Sequence, residues 1–134
     1  MTTPQLYHCL RSTDADRTIA FLTALGFTEK LVFRDPEDPT IVHHAQFQWR
    51  DHGGLMLGSV RGDEEETAPW FRPGASVCSL VVPSDEQVDE VLRRGVEAGG
   101  RVAAEPSEPP HGGRTAGILD HDGNYWNIDS YPGE

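Results

Sequence analysis

Asp120-His121-Asp122-Gly123-Asn124-Tyr125-Trp126 lies near the end of the chain, and Asp51-His52-Gly53-Gly54-Leu55-Met56 has a similar layout 69 residues earlier. Upstream there is a second repeat, in which Ala24-Leu25-Gly26-Phe27 returns as Ala98-Gly99-Gly100. Two half-domains of the same layout explain both repeats. A cleft where two such halves meet is the first place to expect a functional site.

Hydrophobic periodicity predicts one helix and four strands in each half. Residues 6–11 and 41–50 alternate as strands do, and a helix is predicted from Ala15 to the stop at Gly26. In the second half, Ser84 and Gln87 form a capping box at the start of another helix. Each half therefore reads β-α-β-β-β. The fold class is α+β, with paired modules forming a curved mixed sheet around a cleft and the helices outside.

The length of 134 residues fits one domain, 1–134, made of two modules at about 5–60 and 75–131. The segment 61–75 is predicted to be an acidic linker, because it contains Asp63-Glu64-Glu65-Glu66 and two prolines. Residues 105–113 hold three prolines and two glycines and are predicted to form a mobile loop.

Composition limits the class of partner. The net charge of −11 excludes a nucleic-acid partner, which needs a basic surface, and fits cationic or neutral small molecules. Cys9 and Cys78 form no CxxC motif, so neither a disulfide framework nor a zinc motif is predicted. No apolar run reaches the ~20 residues of a membrane-spanning helix, and the N-terminus is unlike a signal peptide. We expect a cytoplasmic protein with no membrane partner.

The paired β-α-β-β-β units resemble the vicinal oxygen chelate superfamily of glyoxalases, extradiol dioxygenases and bleomycin-resistance proteins. The first half contributes Asp14, Ala20-Phe21-Leu22 and Leu25-Gly26-Phe27 to this resemblance. The second contributes Gly113-Arg114 and the stretch 120–126, which is similar to the family's D-P-[DE]-G-N-x-[WI] signature with His121 in place of proline. The resemblance covers almost the whole chain, and many members of the family are dimers.

That family places a divalent metal in the cleft, with His or Glu ligands on the first and fourth strands of both halves. The corresponding positions here are Tyr7, Gly58, approximately Val77, and Asn127. These four residues do not form a plausible ligand set. We therefore expect no metal and no other cofactor.

Alternation predicts which side chains of the first half face the cleft. Leu6, His8 and Leu10 suit packing under a helix, which leaves Tyr7, Cys9 and Arg11 on the other side. In 41–50 the odd-numbered set is the more apolar, so His44 is predicted to face the cleft and His43 to face away. A register slip of one residue would reverse these faces and make His8 a candidate ligand.

The same reasoning in the second half leaves Tyr125 and Asn127 facing the cleft, because Trp126 and Ile128 suit the core. His52 and His121 are predicted to lie on the surface at turn tips, where Asp51 and Asp120 serve turn geometry. The predicted cavity lining is Tyr7, Arg11, His44, Gln46, Gln48, Met56, Tyr125 and Asn127, with Trp70 and His111 as lid residues.

The leading functional hypothesis is metal-independent binding or sequestration of a small, partly aromatic or cationic organic molecule, as the resemblance to bleomycin-resistance proteins implies. The alternative is a glyoxalase- or dioxygenase-like enzyme (lyase, isomerase or oxygenase), with a displaced metal site or with His44 as base. A cleft with no specific ligand is a third hypothesis. A homodimer is expected, because half-open sheets leave strand edges that need cover.

Overall fold

The computed structural model describes residues 3–60 and 70–134. The elements follow the predicted order, β-α-β-β-β in each module. Their bounds are β1 (Tyr7–Ser12), α1 (Ala15–Leu25), β2 (Thr28–Arg34), β3 (Val42–Trp49), β4 (Gly53–Ser59), β5 (Val77–Val81), α2 (Asp85–Glu97), β6 (Arg101–Ser107), β7 (Thr115–Leu119) and β8 (Tyr125–Asp129). Neither helix in the described ranges is long and apolar enough to cross a membrane.

Each module contains one four-stranded mixed sheet. Sheet 1 has the order β1-β4-β3-β2, and sheet 2 has the order β5-β8-β7-β6. The first strand of each module pairs in parallel with the last, and the remaining pairs are antiparallel. The α+β class and the pairing of two β-α-β-β-β units are confirmed.

Local sequence sets where both helices begin. The Asp14 side chain accepts a hydrogen bond from the Arg17 backbone N–H, and the Ser84 side chain accepts one from the Gln87 backbone N–H. Both caps satisfy donors that the first helical turn leaves without a partner. Gly26 ends α1 with a φ of 123°, a conformation that disfavours other residues.

The aspartate that opens the signature stretch organises the whole β7–β8 turn. The Asp120 carboxylate accepts hydrogen bonds from the backbone N–H groups of Asp122 and Asn124, from Asn124 Nδ2, and from Trp126 Nε1 at 2.9 Å. Asp120 is 7% exposed and Trp126 is fully buried. The turn role predicted for Asp120 is confirmed, and this carboxylate also fixes the largest side chain of the core.

The helix-covered faces of the two sheets share one core. Trp126 packs against Phe21, Phe27 and His8, with ring centroids 5.7 to 6.3 Å apart. The helices are tied together by Arg94 Nε, which donates to the Ala24 carbonyl at 2.9 Å. Because the helix-covered faces meet, the opposite faces of the sheets point away from the shared core.

We call those opposite faces outer face 1 and outer face 2. By register and alternation, outer face 1 carries Tyr7, Cys9, Arg11, Leu31, Phe33, His44, Gln46, Gln48, Gly54, Met56 and Gly58. Outer face 2 carries Val77, Ser79, Gly117, Leu119, Tyr125 and Asn127. Within one chain, outer face 1 and outer face 2 do not oppose each other. A cleft that opens on either outer face therefore needs a second wall from outside that sheet.

The structure changes two local predictions, those for the loop 105–113 and for His121, and a third lies mostly outside the described residues. The segment predicted as a mobile loop begins as strand, since β6 continues through Pro106 to Ser107; Pro is tolerated there because β6 is an edge strand. His121 is not a surface residue: its side chain is 7% exposed and lies beside Asp122, which accepts hydrogen bonds from Thr13 of the other module. Most of the predicted acidic linker, 61–69, lies outside the described residues.

Candidate functional site

Outer face 1 is organised in rows that run across four strands. One row pairs Cys9, Met56, Gln46 and Leu31 in that order. The row on one side pairs Tyr7, Gly54, Gln48 and Thr28. On the other side, Arg11 pairs with Gly58 and Phe33 pairs with His44. Six predicted site residues therefore share one surface, as alternation predicts.

A cavity of about 270 Å³ opens on this surface. It is lined by Cys9, Leu10, Arg11, His43, His44, Met56, Leu57, Gly58 and Phe71. The guanidinium of Arg11 lies over the Phe71 ring, 4.9 Å from its centroid, and Arg11 Nη1 donates to the Ser59 carbonyl at 3.3 Å. The result is a mixed surface of apolar groups with a small number of polar ones, as in most small-molecule sites.

A bulge in β3 changes the histidine assignment. Phe33 of β2 pairs with His44 of β3, but the next residue of β2, Arg34, pairs with Val42. His43 is therefore an extra residue in β3, which defines the bulge. Val42 and Ala45 are both fully buried, and His43 and His44 both line the cavity. His44 therefore lies where it was predicted, but the prediction that His43 faces away is wrong, because the bulge breaks the period of two.

His43 is held by an acidic partner. Its Nε2 lies 2.9 Å from Asp35 Oδ1, and both side chains are 27% exposed. Asp35 Oδ2 also accepts the backbone N–H groups of Asp38 and Glu37. The His43 hydrogen bond, helped by those backbone donors, lowers the pKa of Asp35. An ionised carboxylate thus fixes the orientation of an imidazole at the cavity.

A second depression, of about 160 Å³, lies on the same face and is lined by Thr3, Pro4, Tyr7, Lys30, Gln46, Phe47 and Gln48. The Tyr7 ring covers Gly54, where a Cβ would lie 2.6 Å from ring carbons. Gln46 Nε2 reaches the Tyr7 hydroxyl at 3.5 Å. Gln48 is 3% exposed and donates to the carbonyls of Arg50 and Asp51, so it holds the β3–β4 turn as well as lining the depression.

Tyr125 and Asn127 lie on outer face 2, apart from the other predicted site residues. The Tyr125 ring covers Gly117, and a Cβ there would lie 2.1 Å from the tyrosine hydroxyl. Asn127 Nδ2 donates to Ser79 Oγ at 3.1 Å, and Asn127 Oδ1 accepts from Thr115 Oγ1 at 3.0 Å. These polar groups are satisfied by residues of their own sheet. One chain does not bring them to Tyr7 or Arg11.

The two predicted lid residues also lie apart from the cavity lining. Trp70 is 80% exposed at the start of the second described range. His111 packs edge-on against Tyr131, with ring centroids 4.8 Å apart. Phe71, the neighbour of Trp70, is instead the aromatic side chain that borders the cavity.

The family's metal does not fit this chain. Among residues 3–60 and 70–134, no three His, Cys, Asp or Glu side chains form a group that could hold an ion. The strand ladders also correct one inherited position: Cys9 pairs with Met56 as Ser79 pairs with Asn127, so Met56, not Gly58, is equivalent to Asn127. The four positions then hold the Tyr7 phenol, the Met56 thioether, Val77 and the Asn127 amide, and that amide is already hydrogen-bonded at both ends. They form a poor donor set for a divalent metal.

Sequence reasoning missed two contributors to outer face 1. Leu31 and Phe33 are 45% and 59% exposed there, although a short apolar strand gives no sign of which face it presents. Gly58, named from the sequence only as an inherited ligand position, lines the cavity without a side chain, and Phe71 borders it.

A family model described as Glyoxalase/Bleomycin resistance protein/Dioxygenase superfamily matches residues 5–128. A comparison with curated proteins gives no match. Among solved structures, a glyoxalase/bleomycin resistance protein/dioxygenase family enzyme from Burkholderia phytofirmans PsJN is 18% identical, with a TM-score of 0.73, covering 95% of this chain and 98% of that one.

Two further structures are similar over nearly the whole chain. A glyoxalase-related enzyme from Fulvimarina pelagi is 24% identical, with a TM-score of 0.70, covering 96% of this chain and 88% of that one. A bleomycin resistance determinant encoded on the transposon Tn5 is 25% identical, with a TM-score of 0.61, covering 97% and 99%.

Proposed function

The chain belongs to the glyoxalase/bleomycin resistance protein/dioxygenase superfamily, and from that premise we propose that it is a cytoplasmic, metal-independent binding protein for a small organic molecule. The ligand occupies outer face 1, in the cavity between Arg11, His44 and Met56. The observation that carries the proposal is that six residues predicted from alternation share this face, whereas the inherited metal positions hold no suitable donor set. The similarity to a bleomycin resistance determinant supports a sequestering role.

We propose further that the protein is a homodimer, in which outer face 2 of a second copy supplies the facing wall. The cavity of about 270 Å³ is slightly smaller than the roughly 300–1,000 Å³ of most small-molecule sites, and the described residues give it a floor without an opposite wall. Phe33 on outer face 1 and Val77 on outer face 2 are 59% and 74% exposed. Covering such apolar groups favours association. In the dimer, Tyr125 and Asn127 would approach the cavity from the partner.

Oligomeric state is tested by light scattering coupled to size exclusion. We expect a mass near twice the 14.8 kDa of the chain. Phe33→Asp and Val77→Asp should each shift the mass to that of a monomer, because a buried charge opposes the interface. Arg17→Asp, a charge change at an exposed site of α1 away from both outer faces, is the matched control. A parent protein that is monomeric at micromolar concentration would contradict the dimer.

Ligand binding is tested by a thermal-shift screen of aromatic, anionic and cationic small molecules, followed by calorimetry of the hits. Tyr7→Ala and Gln46→Ala should each weaken a hit tenfold or more, since one directed anchor contributes roughly 1–3 kcal/mol. Thr23→Ala on α1 is the control. If both cavity variants remain folded and bind a hit as the parent does, outer face 1 is not the site.

A second candidate function is metal-free acid–base catalysis by His43. The observation in its favour is the 2.9 Å contact with Asp35, which orients the imidazole at the cavity. His43→Gln should then abolish turnover of a bound compound without abolishing its binding. If the parent protein returns every hit chemically unchanged, sequestration is the better account.

A further inference from the structure

The only lysine of the chain, Lys30, lies in a bulge of β2. Glu29 pairs with Phe47, but the next pair of the ladder joins Leu31 to Gln46, so Lys30 is an extra residue. In such a bulge two consecutive residues oppose one partner, here Lys30 and Leu31 opposite Gln46. The bulge therefore brings a cation and a leucine side by side at a single residue of β3.

The second module has a bulge at the equivalent place, in β6. There Ala104 pairs with Gly117, which is equivalent to Gln46 of the first module, and the ladder passes over Ala103. Ala103 thus occupies the position that Lys30 occupies in β2. The bulge is a property of the fold, whereas the lysine within it is specific to the first module.

The side chains around Lys30 offer hydrogen-bond donors. Lys30 lines the second depression of outer face 1, of about 160 Å³, together with Tyr7, Gln46 and Gln48. Gln46 Nε2 donates to the Tyr7 hydroxyl at 3.5 Å, so the hydroxyl hydrogen is left for another acceptor. The ammonium has three donors and no acceptor. Within residues 3–60 and 70–134, no carboxylate forms an ion pair with it.

The second depression has room for one end of a ligand and adjoins the larger cavity. Its volume is about half of the smallest typical small-molecule site, roughly 300 Å³. Gln46, which lines the depression, pairs across the ladder with Met56, which lines the cavity of about 270 Å³. Leu31, 45% exposed, belongs to the same row. A ligand can therefore place a polar end group beside Lys30 and apolar atoms along this row.

We propose that the ligand is an organic acid whose compact anionic end, a carboxylate or a phosphate, binds Lys30 with Tyr7 and Gln46, and whose apolar body extends toward Met56. The inference rests on the proposed binding function of outer face 1 and names the chemistry of one end of the ligand. A lysine ammonium is a compact point charge, so it accepts either oxyanion. Lys30 is exposed, and salt therefore weakens the attraction.

Matched probes test the anionic end: 3-phenylpropanoate and 5-phenylpentanoate, their neutral carboxamides, and 3-phenylpropyl phosphate, which shows whether the site prefers phosphate. Calorimetry at pH 7 and low salt should show the best anion binding at least fivefold more tightly than the corresponding carboxamide. Lys30→Gln should reduce this preference below twofold, because Tyr7 and Gln46 also donate to a carboxamide oxygen, and Lys30→Arg should retain it. Arg17→Gln, at an exposed site of α1, should leave it unchanged.

The single lysine permits a second measurement on the parent protein. N-hydroxysuccinimidyl acetate acetylates exposed amines, and peptide mass spectrometry separates Lys30 from the N-terminal amine. A saturating concentration of the best anionic probe should slow acetylation of Lys30 at least threefold. An unchanged rate would mean that the bound anion does not contact Lys30, which overturns the inference.

The outcomes separate this inference from the function on which it rests. Equal binding of anions and carboxamides, a preference that survives in Lys30→Gln, or failure of every anionic probe to bind at millimolar concentration overturns the anionic end. The proposed function is judged by Tyr7→Ala and Gln46→Ala with the hits of the screen. If these two variants lose a hit that Lys30→Gln still binds as the parent does, outer face 1 remains the site without an anion at Lys30.

Discussion

The two modules share a topology but differ in what their outer faces present. Outer face 1 has a cavity of about 270 Å³ beside Arg11, with His43 and His44 at its wall. On outer face 2 the polar groups bond one another, as Asn127 does with Ser79 and Thr115. The same backbone thus carries an open surface of apolar groups with a small number of polar ones in one half, and a surface whose polar groups bond one another in the other. Duplication of a fold does not duplicate its chemistry.

The signature turns show the same difference at the level of single residues. Counting along the strand ladders, Met56 is equivalent to Asn127 and Gln48 to Leu119, an offset of 71 residues. Asp51 is therefore equivalent to Asp122, although the sequence repeat aligns it with Asp120. The buried Asp120 has four hydrogen-bond donors around it, whereas Asp51 is exposed.

The largest expected effect comes from comparing these two aspartates. Asp120→Ala should lower the free energy of unfolding by at least about 3 kcal/mol, because it leaves several buried donors without an acceptor. Asp51→Ala should cost less than about 1 kcal/mol, as for most exposed positions. Denaturant unfolding of both variants measures the difference. Similar losses in the two would show that the turns are equivalent after all.

A second prediction compares the two thiols. Burial raises the pKa of Cys78 from 9.0 to about 11, so its thiolate fraction near pH 8 is about a hundredfold below that of an ordinary thiol. Cys9 is exposed on β1. With Ellman's reagent, one thiol should react quickly and the other only on unfolding. Cys9→Ser should remove the fast phase and Cys78→Ser the slow one; the reverse assignment would contradict the burial of Cys78.

A smaller effect concerns pH. Cys9 of β1 and Ser79 of β5 are equivalent in the two sheets. The residues before them, His8 and Cys78, are therefore also equivalent, and both lie on the side of the sheet that the helices cover. Burial lowers the pKa of His8 and disfavours its charged form. The unfolded chain then binds a proton more readily than the folded one, so the free energy of unfolding should fall as pH drops below about 6.5.

Thermal unfolding between pH 7.5 and 5.5 tests this, with His8→Phe as the variant that removes the titrating group. The variant should lose part of the decline in stability toward acid pH. His52→Phe, at an exposed turn, is the control and should keep it. For Cys78 the sign is opposite, since its raised pKa makes stability fall as pH rises above about 9.

Much of the fold and part of the site followed from sequence pattern alone. Period-two alternation placed Tyr7, Arg11, Gln46 and Met56 on one surface, because successive side chains of a strand point to opposite faces. The cap at Ser84 was predicted because it depends on a neighbour three residues away, whereas for the first helix the sequence allowed either Thr13 or Asp14 and the structure shows Asp14. The His43 and His44 assignment was only half correct, since a bulge arises from pairing between strands and leaves no mark in the alternation of one strand.

The sequence by itself determined the β-α-β-β-β order of each module and, for alternating strands such as β1 and β8, the division into a core side and an outer side, because both depend on local periodicity. Tertiary structure decided how the modules pack. Trp126 joins the helix-covered faces in one core, so Arg11 and Asn127 lie on different outer surfaces. It also decided that Gly58 lies beside Arg11, where a Cβ would lie 3.5 Å from Arg11 Nη1 and 3.2 Å from the His43 carbonyl. Such facts depend on contacts between residues far apart in the chain, which a pattern of neighbours does not contain.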